Sequence, residues 1–333
     1  MTPARYEVLG LGNSLVDLIA RTDEDFLLRE EVRKGSMTLI DEARAEHLYA
    51  AMGSATIISG GSAANTIVGV ASFGVRSAYI GKVKADTLGD AFVHDIRAMG
   101  VTYETGQAND GAATGRCYVL VTPDGERSMS TFLGASQSLA PGDVDEDMVR
   151  QSSIVYLEGY MWDPPAAKLA FVKASKIAHE AGSRVALTLS DSFCVDRYRD
   201  EFLDLLRSKT VDIVFANTHE LRSLYQTADF GSAVAAVRDD AALAVVTRSA
   251  EGSLVVTREA TEAVPAFPID RLVDTTGAGD LFAAGFLAGL ARGADHRDCA
   301  RLGALAAAEV IQHLGARPET NLARLAEENG LSL

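Results

Sequence analysis

The stretch DTTGAGDLFAAGFLAGLARG, residues 274–293, joins a glycine turn to a small, apolar helix and sets one carboxylate, Asp280, at the junction. Gly277-Ala278-Gly279 lets the backbone turn tightly, so that successive N–H groups point at one spot. The positive end of the following helix dipole adds to them, and together they predict an anion hole. Ala283, Ala284, Gly285, Ala288 and Gly289 suit close helix packing, and Arg292-Gly293 ends the helix. A fixed negative side chain would spoil an anion hole unless it has its own task. Asp280 makes chemical sense if it takes the proton of a hydroxyl while the hole steadies a transferring phosphoryl group. The plainer role, an acid favouring the helix dipole by about a few tenths of a kcal/mol, explains the aspartate but not its setting.

Outward from this turn the chain alternates strand and helix. EVLGLG, SAYIGKV, SIVYLEG, RVALTLS, VDIVFAN and LAVVTRS read as strands. GGSAANTIVGVASFG, DAFVHDIRAMG, the segment from Pro164 to about Ala181, and THELRSLYQ read as helices. Apolar strands in this rhythm predict an α/β fold, a doubly wound and mostly parallel sheet with helices on both faces. Two stretches break it: residues 15–58, and the pair of alternating runs flanking PDGE within 111–132. They are expected to form a small β-sheet lid, leaving 1–14, 59–110 and 133–333 to one large domain.

Composition excludes several classes. The 333 residues carry a formal net charge of −15, which argues against nucleic acid or an anionic membrane as partner. A phosphate substrate would then need a place where backbone N–H groups, a metal or a few cations reverse the local field. Cys117, Cys194 and Cys299 are too few and scattered for a disulfide framework or zinc site, and the six histidines form no HExxH pattern. The apolar run from Leu281 falls short of the ~20 residues that span a bilayer. With no export signal read at the N-terminus, a cytoplasmic protein is expected.

DTTGAGDLFAAGFL resembles the C-terminal motif of the PfkB (ribokinase-like) carbohydrate and nucleoside kinase family, and GGSAANTIVGVASFG with GKVKADTLGDAFVHDIRAMGV resembles its N-terminal motif. The resemblance implies an ATP- and Mg²⁺-dependent kinase with a lid. In it Asp280 is the general base, the backbone of Gly277, Ala278 and Gly279 the anion hole, and Asp274 and Thr276 a site for K⁺ in some members. Asn217-Thr218-His219-Glu220 fits the family's N-x-x-E motif, with Glu220 holding Mg²⁺ through water and Asn217 near the phosphates. The same four residues also spell a helix capping box, and the two roles are compatible. VVTRSAEGSLVV resembles the nucleotide-binding segment through Thr247 and Gly252, with Ser249 where glycine is usual. Lys84 likewise stands where many members have glycine, and Arg127 matches a family arginine near the phosphates.

For the acceptor, Asn13-x-Leu15-x-Asp17 resembles the N-x-L-x-D motif of adenosine-kinase-like members. Asn13, Asp17, Gly61 and Asn65 are thereby expected to grip a sugar diol, an acid accepting where an amide both donates and accepts. Phe132 and Tyr160 are candidates to stack on a purine. The expected activity is phosphorylation of a primary hydroxyl of an adenosine-like nucleoside. The alternatives are a free sugar such as ribose, fructose or a keto-sugar acid, or a non-catalytic nucleoside or sugar sensor. A dehydrogenase would want G-x-G-x-x-G after the first strand, and that is missing. The partner is a small molecule, and the chain is expected to be a monomer or a homodimer through the lid.

Overall fold

The computed structural model describes residues 4–333. Nine strands form one sheet in the order Thr261–Val264, Ser253–Thr257, Leu243–Thr247, Ile213–Asn217, Arg184–Thr188, Ser152–Glu158, Tyr6–Leu11, Ser77–Ile80 and Thr102–Tyr103. All neighbours run parallel except the last two hairpin-joined strands at the Thr261–Val264 edge. Tyr6–Leu11 is apolar without alternation because both its faces are covered. Val8 joins a core with Ile67, Leu281 and Phe286, whereas Leu9 and Leu11 join the opposite one with Phe171, Leu187 and Phe202.

From Tyr6–Leu11 the chain continues to one side of the sheet, and from its neighbour Ser152–Glu158 it continues to the other. The crevice between their carboxyl ends is therefore the topological switch point, where this class of sheet binds ligands. Asn13 and Glu158 meet across it.

The helix Ala278–Ala291 is buried from Leu281 to Leu290. It lies between Ser62–Ser72 and His296–Val310 because both contacts lack side-chain bulk. A methyl group on Gly69 would stand 2.7 Å from the Ala284 Cβ, and one on Gly285 would stand 2.4 Å from the Leu302 carbonyl oxygen. Leu281, Phe282, Phe286 and Leu287 each contribute about 1.5–3 kcal/mol of apolar burial. This packing sets the N-terminus of Ser62–Ser72 beside Asp280.

Five strands form a second sheet in the order Met37–Leu39, Arg127–Phe132, Gly115–Val121, Leu15–Arg21 and Thr56–Gly60. The runs flanking PDGE are its antiparallel hairpin. Two helices absent from the sequence reading, Glu24–Arg29 and Glu42–Ala51, cover one face, where Phe26, Leu27 and Leu48 pack on Leu18, Ala20, Tyr118 and Leu120. The other face carries Asp17, Cys117 and Thr131, paired side by side.

Two further differences concern the large sheet. The sequence reading expects residues 269–276 to lead into the glycine turn from an extended segment, but residues 265–277 are irregular, hung from Ile311 by hydrogen bonds from the Val273 and Asp274 N–H groups at 2.8 and 3.2 Å. Ser192–Arg207 and Phe230–Asp240 are helices that the sequence reading passed over. Asp191 and Asp229 cap them.

Candidate active site

Gly277 has φ +79°, a left-handed conformation that its lack of Cβ permits, and a methyl there would strike Ala316 at 2.7 Å. Of the three N–H groups expected to form an anion hole, that of Ala278 is spent on the Thr275 carbonyl at 3.2 Å. Those of Gly277, Gly279 and Asp280 have no partner among the described residues. The open donors of this turn are therefore those of Gly277, Gly279 and Asp280, not of Ala278.

Asp280 is half-buried in the recess between the glycine turn and the start of the helix Ser62–Ser72. Ser62 Oγ donates to its Oδ1 at 2.6 Å, and Asn65 Nδ2 to its Oδ2 at 3.2 Å. Burial pushes its carboxyl up to about 6, against the pull of those two donors. The acid is therefore ionised at neutral pH.

Asp17 faces the same recess from the second sheet. Burial raises it to about 6 as well, opposed by Arg317 and Arg127 and assisted by the charge of Asp280. Asn13 is buried, its N–H and Nδ2 donating to Glu158 at 3.2 and 2.5 Å while its carbonyl accepts from the Tyr79 hydroxyl at 2.7 Å. Gly61, at φ +100°, packs so tightly that a Cβ would stand 2.2 Å from the Asn13 carbonyl oxygen. Glu158 also accepts from the Ala63 N–H at 2.9 Å, and burial drives it to about 7. Sequence reasoning missed Glu158 and Ser62. The signal for the first was an acid ending an apolar parallel strand, and for the second a hydroxyl between a glycine pair and Asn65.

Phe132 does not join this group. Strand alternation puts it on the helix-covered face, opposite Arg116 and packed near Leu48 and Tyr118, while Asp17 and Thr131 face the other way. Tyr160 packs on the core of the opposite sheet face from Asp280's helix, its hydroxyl donating to the Ser190 carbonyl at 3.4 Å. Phe132 thus packs within the second sheet's covered face and Tyr160 against the large sheet's other core.

Arg127 reaches from the second sheet to the glycine turn, donating to Thr276 Oγ1 at 2.7 Å and pairing with Asp274 at 2.5 Å. Asp274 is almost wholly buried and its oxygens also accept from the Thr276 and Gly315 N–H groups. The charge of Asp274 is thus matched by a guanidinium and its side-chain oxygens are engaged.

Asn217 and Glu220 form the capping box outright. Asn217 Oδ1 accepts from the His219 and Glu220 N–H groups at 2.8 and 2.9 Å, and Glu220 accepts from the Asn217 N–H at 3.0 Å. The Asn217 side chain is thus committed to the helix. Thr247 ends the neighbouring strand in register with Asn217. Gly252 closes the next turn at φ +82°, and Ser249 takes the left-handed φ of +52° that a glycine would adopt there freely. Burial raises Glu220 to about 7, with Asp191 adding to it. No group of three or more histidine, cysteine, aspartate or glutamate side chains placed to hold a metal ion occurs among the described residues. Mg²⁺ fits this arrangement, since it keeps its waters, leans on substrate phosphates and needs only one or two carboxylates.

Residues 37–322 match the family model described as pfkB family carbohydrate kinase. The adenosine kinase of Sinorhizobium meliloti superposes with a TM-score of 0.93 at 52% identity, covering 98% of this chain and 100% of that one. A probable sugar kinase protein from Rhizobium etli CFN 42 superposes at 0.94 with 51% identity, covering 98% and 99%. The adenosine kinase of Saccharomyces cerevisiae is 28% identical over 92% of this chain and 94% of its own. No helix of the described residues is long and apolar enough to cross a membrane. The chain belongs to the PfkB family of carbohydrate kinases, and it is a phosphotransferase that takes an alcohol group as acceptor and ATP as co-substrate.

Proposed function

We propose that this kinase phosphorylates the primary hydroxyl of an adenosine-like nucleoside, with Asp280 as general base. The observation that carries the chemistry is Asp280 itself: a recessed carboxylate near pH 6, oriented by Ser62 and Asn65, beside three backbone N–H groups without partners. The acceptor hydroxyl gives its proton to an Asp280 oxygen as its own oxygen attacks the γ-phosphorus of ATP, and the bond from that phosphorus to the β–γ bridging oxygen breaks to release ADP. The N–H groups of Gly277, Gly279 and Asp280 receive the charge that spreads over the transferring phosphoryl oxygens. Their dipoles are fixed before the reaction, so no reorganisation opposes it.

Asn13, Asp17, Gly61 and Asn65 shape the acceptor side. Asp17 accepts from a sugar hydroxyl; Gly61 and Glu158 hold Asn13 and the start of Ser62–Ser72 in place. Thr247, Gly252 and the strand end at Asn217 line the nucleotide side, with Glu220 holding Mg²⁺ through water. When bound, that ion neutralises phosphate charge that an acidic protein could not. Residues 15–58 and 111–132 act as the lid. Arg127 ties it to the glycine turn, excluding water from the recess and limiting ATP hydrolysis.

The preference for a nucleoside rests on Asn13-x-Leu15-x-Asp17 and on likeness to adenosine kinases along nearly the whole chain. The probable sugar kinase of equal likeness keeps a free sugar as the second reading. ADP release with Mg·ATP against adenosine, inosine, guanosine, cytidine, ribose, fructose and 2-keto-3-deoxygluconate decides between them. Turnover on a nucleoside is the expected result. Turnover on a free sugar alone replaces the acceptor, and binding without turnover replaces the enzyme by a sensor.

A further inference from the structure

Arg317 lies in the irregular segment between the helices His296–Val310 and Leu322–Glu328, where no sequence motif marks it. That segment is a built support. Gly315 N–H holds Asp274 at 3.0 Å and Ala316 packs against Gly277. On the far side, Glu319 and Thr320 N–H groups bond Glu309 at 2.9 and 3.1 Å. Between these anchors the Arg317 side chain reaches Asn65 on the helix Ser62–Ser72. Its Nε donates to Asn65 Oδ1 at 3.4 Å, and the same amide donates to Asp280.

The guanidinium is poorly satisfied. Its Nη2 is sealed from solvent, and among the described residues it has no hydrogen-bond partner and no carboxylate within ion-pair distance. Buried polar groups are nearly always paired, and a buried cation without a partner is costly. Asp17 and Asp95 are near enough to act on it through space but do not bond it. Burial accordingly lowers it to about 10, so it stays charged at neutral pH.

We infer that Arg317 is a specificity-determining residue, donating to one oxygen of the acceptor's vicinal diol while Asp17 accepts from the neighbouring hydroxyl. An anionic group is the poorer match, since it would face Asp17 and Asp280 together. A neutral diol uses both signs: it accepts from the cation and donates to the acid. The inference rests on the nucleoside-kinase reading for the identity of the diol, and on the recess alone for its existence.

The test measures kcat and KM for adenosine, 2′-deoxyadenosine and 3′-deoxyadenosine in the wild type, Arg317→Gln and Arg317→Lys, with adenosine binding by calorimetry in the absence of ATP. Losing a charged hydrogen bond should raise KM and the adenosine Kd by roughly tenfold or more, while kcat at saturation moves by only about threefold. The penalty against one deoxy analogue should shrink in Arg317→Gln, with Arg317→Lys between the two. A merely structural role would lower the melting temperature and kcat and leave that discrimination intact. Unchanged KM and discrimination in Arg317→Gln would overturn the inference while the kinase reading stands. A wild type that turns over only a free sugar would overturn the nucleoside reading, and the same variants assayed on that sugar and its deoxy forms would then decide for Arg317. A wild type that neither binds nor turns over any of them would overturn both.

Discussion

Ser62 Oγ donates to Asp280 Oδ1 at 2.6 Å across 218 residues of chain. The contact exists because glycines and alanines let the helices Ser62–Ser72 and Ala278–Ala291 come together. It favours the ionised acid, so Ser62→Ala should push the Asp280 pKa above about 6. A base works only when deprotonated, so activity rises with pH through that value. The acid limb of kcat/KM should move up by about one pH unit, the equivalent of a hydrogen bond to a charged group. Activity at pH 6.5 should fall more than at pH 8.5. A limb that stays put or moves down would contradict the assignment.

Stability should fall as pH rises from 5.5 to 8. Burial raises Asp17 and Asp280 to about 6 and Glu158 and Glu220 to about 7. A group raised on folding stabilises most below its unfolded value, near 4, and loses that contribution as pH passes the folded value. Calorimetry across the window should show a declining Tm, and Glu158→Gln should flatten the decline. A rising Tm would mean these carboxyls are not desolvated as described.

Two glycines should behave oppositely. Gly61 is at φ +100° against the Asn13 carbonyl, so Gly61→Ala should cost about 3 kcal/mol or more and lower the unfolding midpoint in urea. A Cβ on Gly279 would meet nothing within 4 Å, so Gly279→Ala should fold as well as the wild type or better by up to about 1 kcal/mol. The methyl would nevertheless enter the space before the open N–H groups, and phosphoryl transfer should drop by roughly a hundredfold. An active Gly279→Ala enzyme would remove this turn from the mechanism.

Because Arg127 already matches the charge of Asp274, replacing K⁺ by Na⁺ or a large organic cation should change the rate by less than about twofold. Arg127→Gln should lower kcat/KM for ATP by roughly tenfold or more, as the tie between the two sheets is lost. Strong K⁺ activation of the wild type would show that Arg127 leaves Asp274 during turnover.

The sheet, the glycine turn and Asp280 were legible in the sequence because each is local: apolar runs, turn residues and a small-residue helix leave patterns within twenty residues. What escaped depends on facing or on distance. Phe132 differs from Thr131 by one position in a strand, and that parity alone sends it to the helix-covered face. Arg317 and Asn65 are 252 residues apart, and nothing near either announces the other. The lead-in to the glycine turn hangs on Ile311, nearly forty residues further along, instead of pairing in a sheet, and no local pattern announces that contact. The capping box at Asn217 and Glu220 was visible as one of two compatible roles, and the structure fills it.

The most direct test of the central claim is a single-turnover measurement on Asp280→Asn with Mg·ATP and adenosine, paired with adenosine binding by calorimetry. The amide keeps the shape of the carboxylate and its place beside Asn65, but it cannot take a proton. The account predicts that phosphoryl transfer falls by about a hundredfold or more while the adenosine Kd changes by less than about fivefold. Loss of binding with the bound-state rate preserved would make Asp280 a substrate anchor and contradict its role as the base.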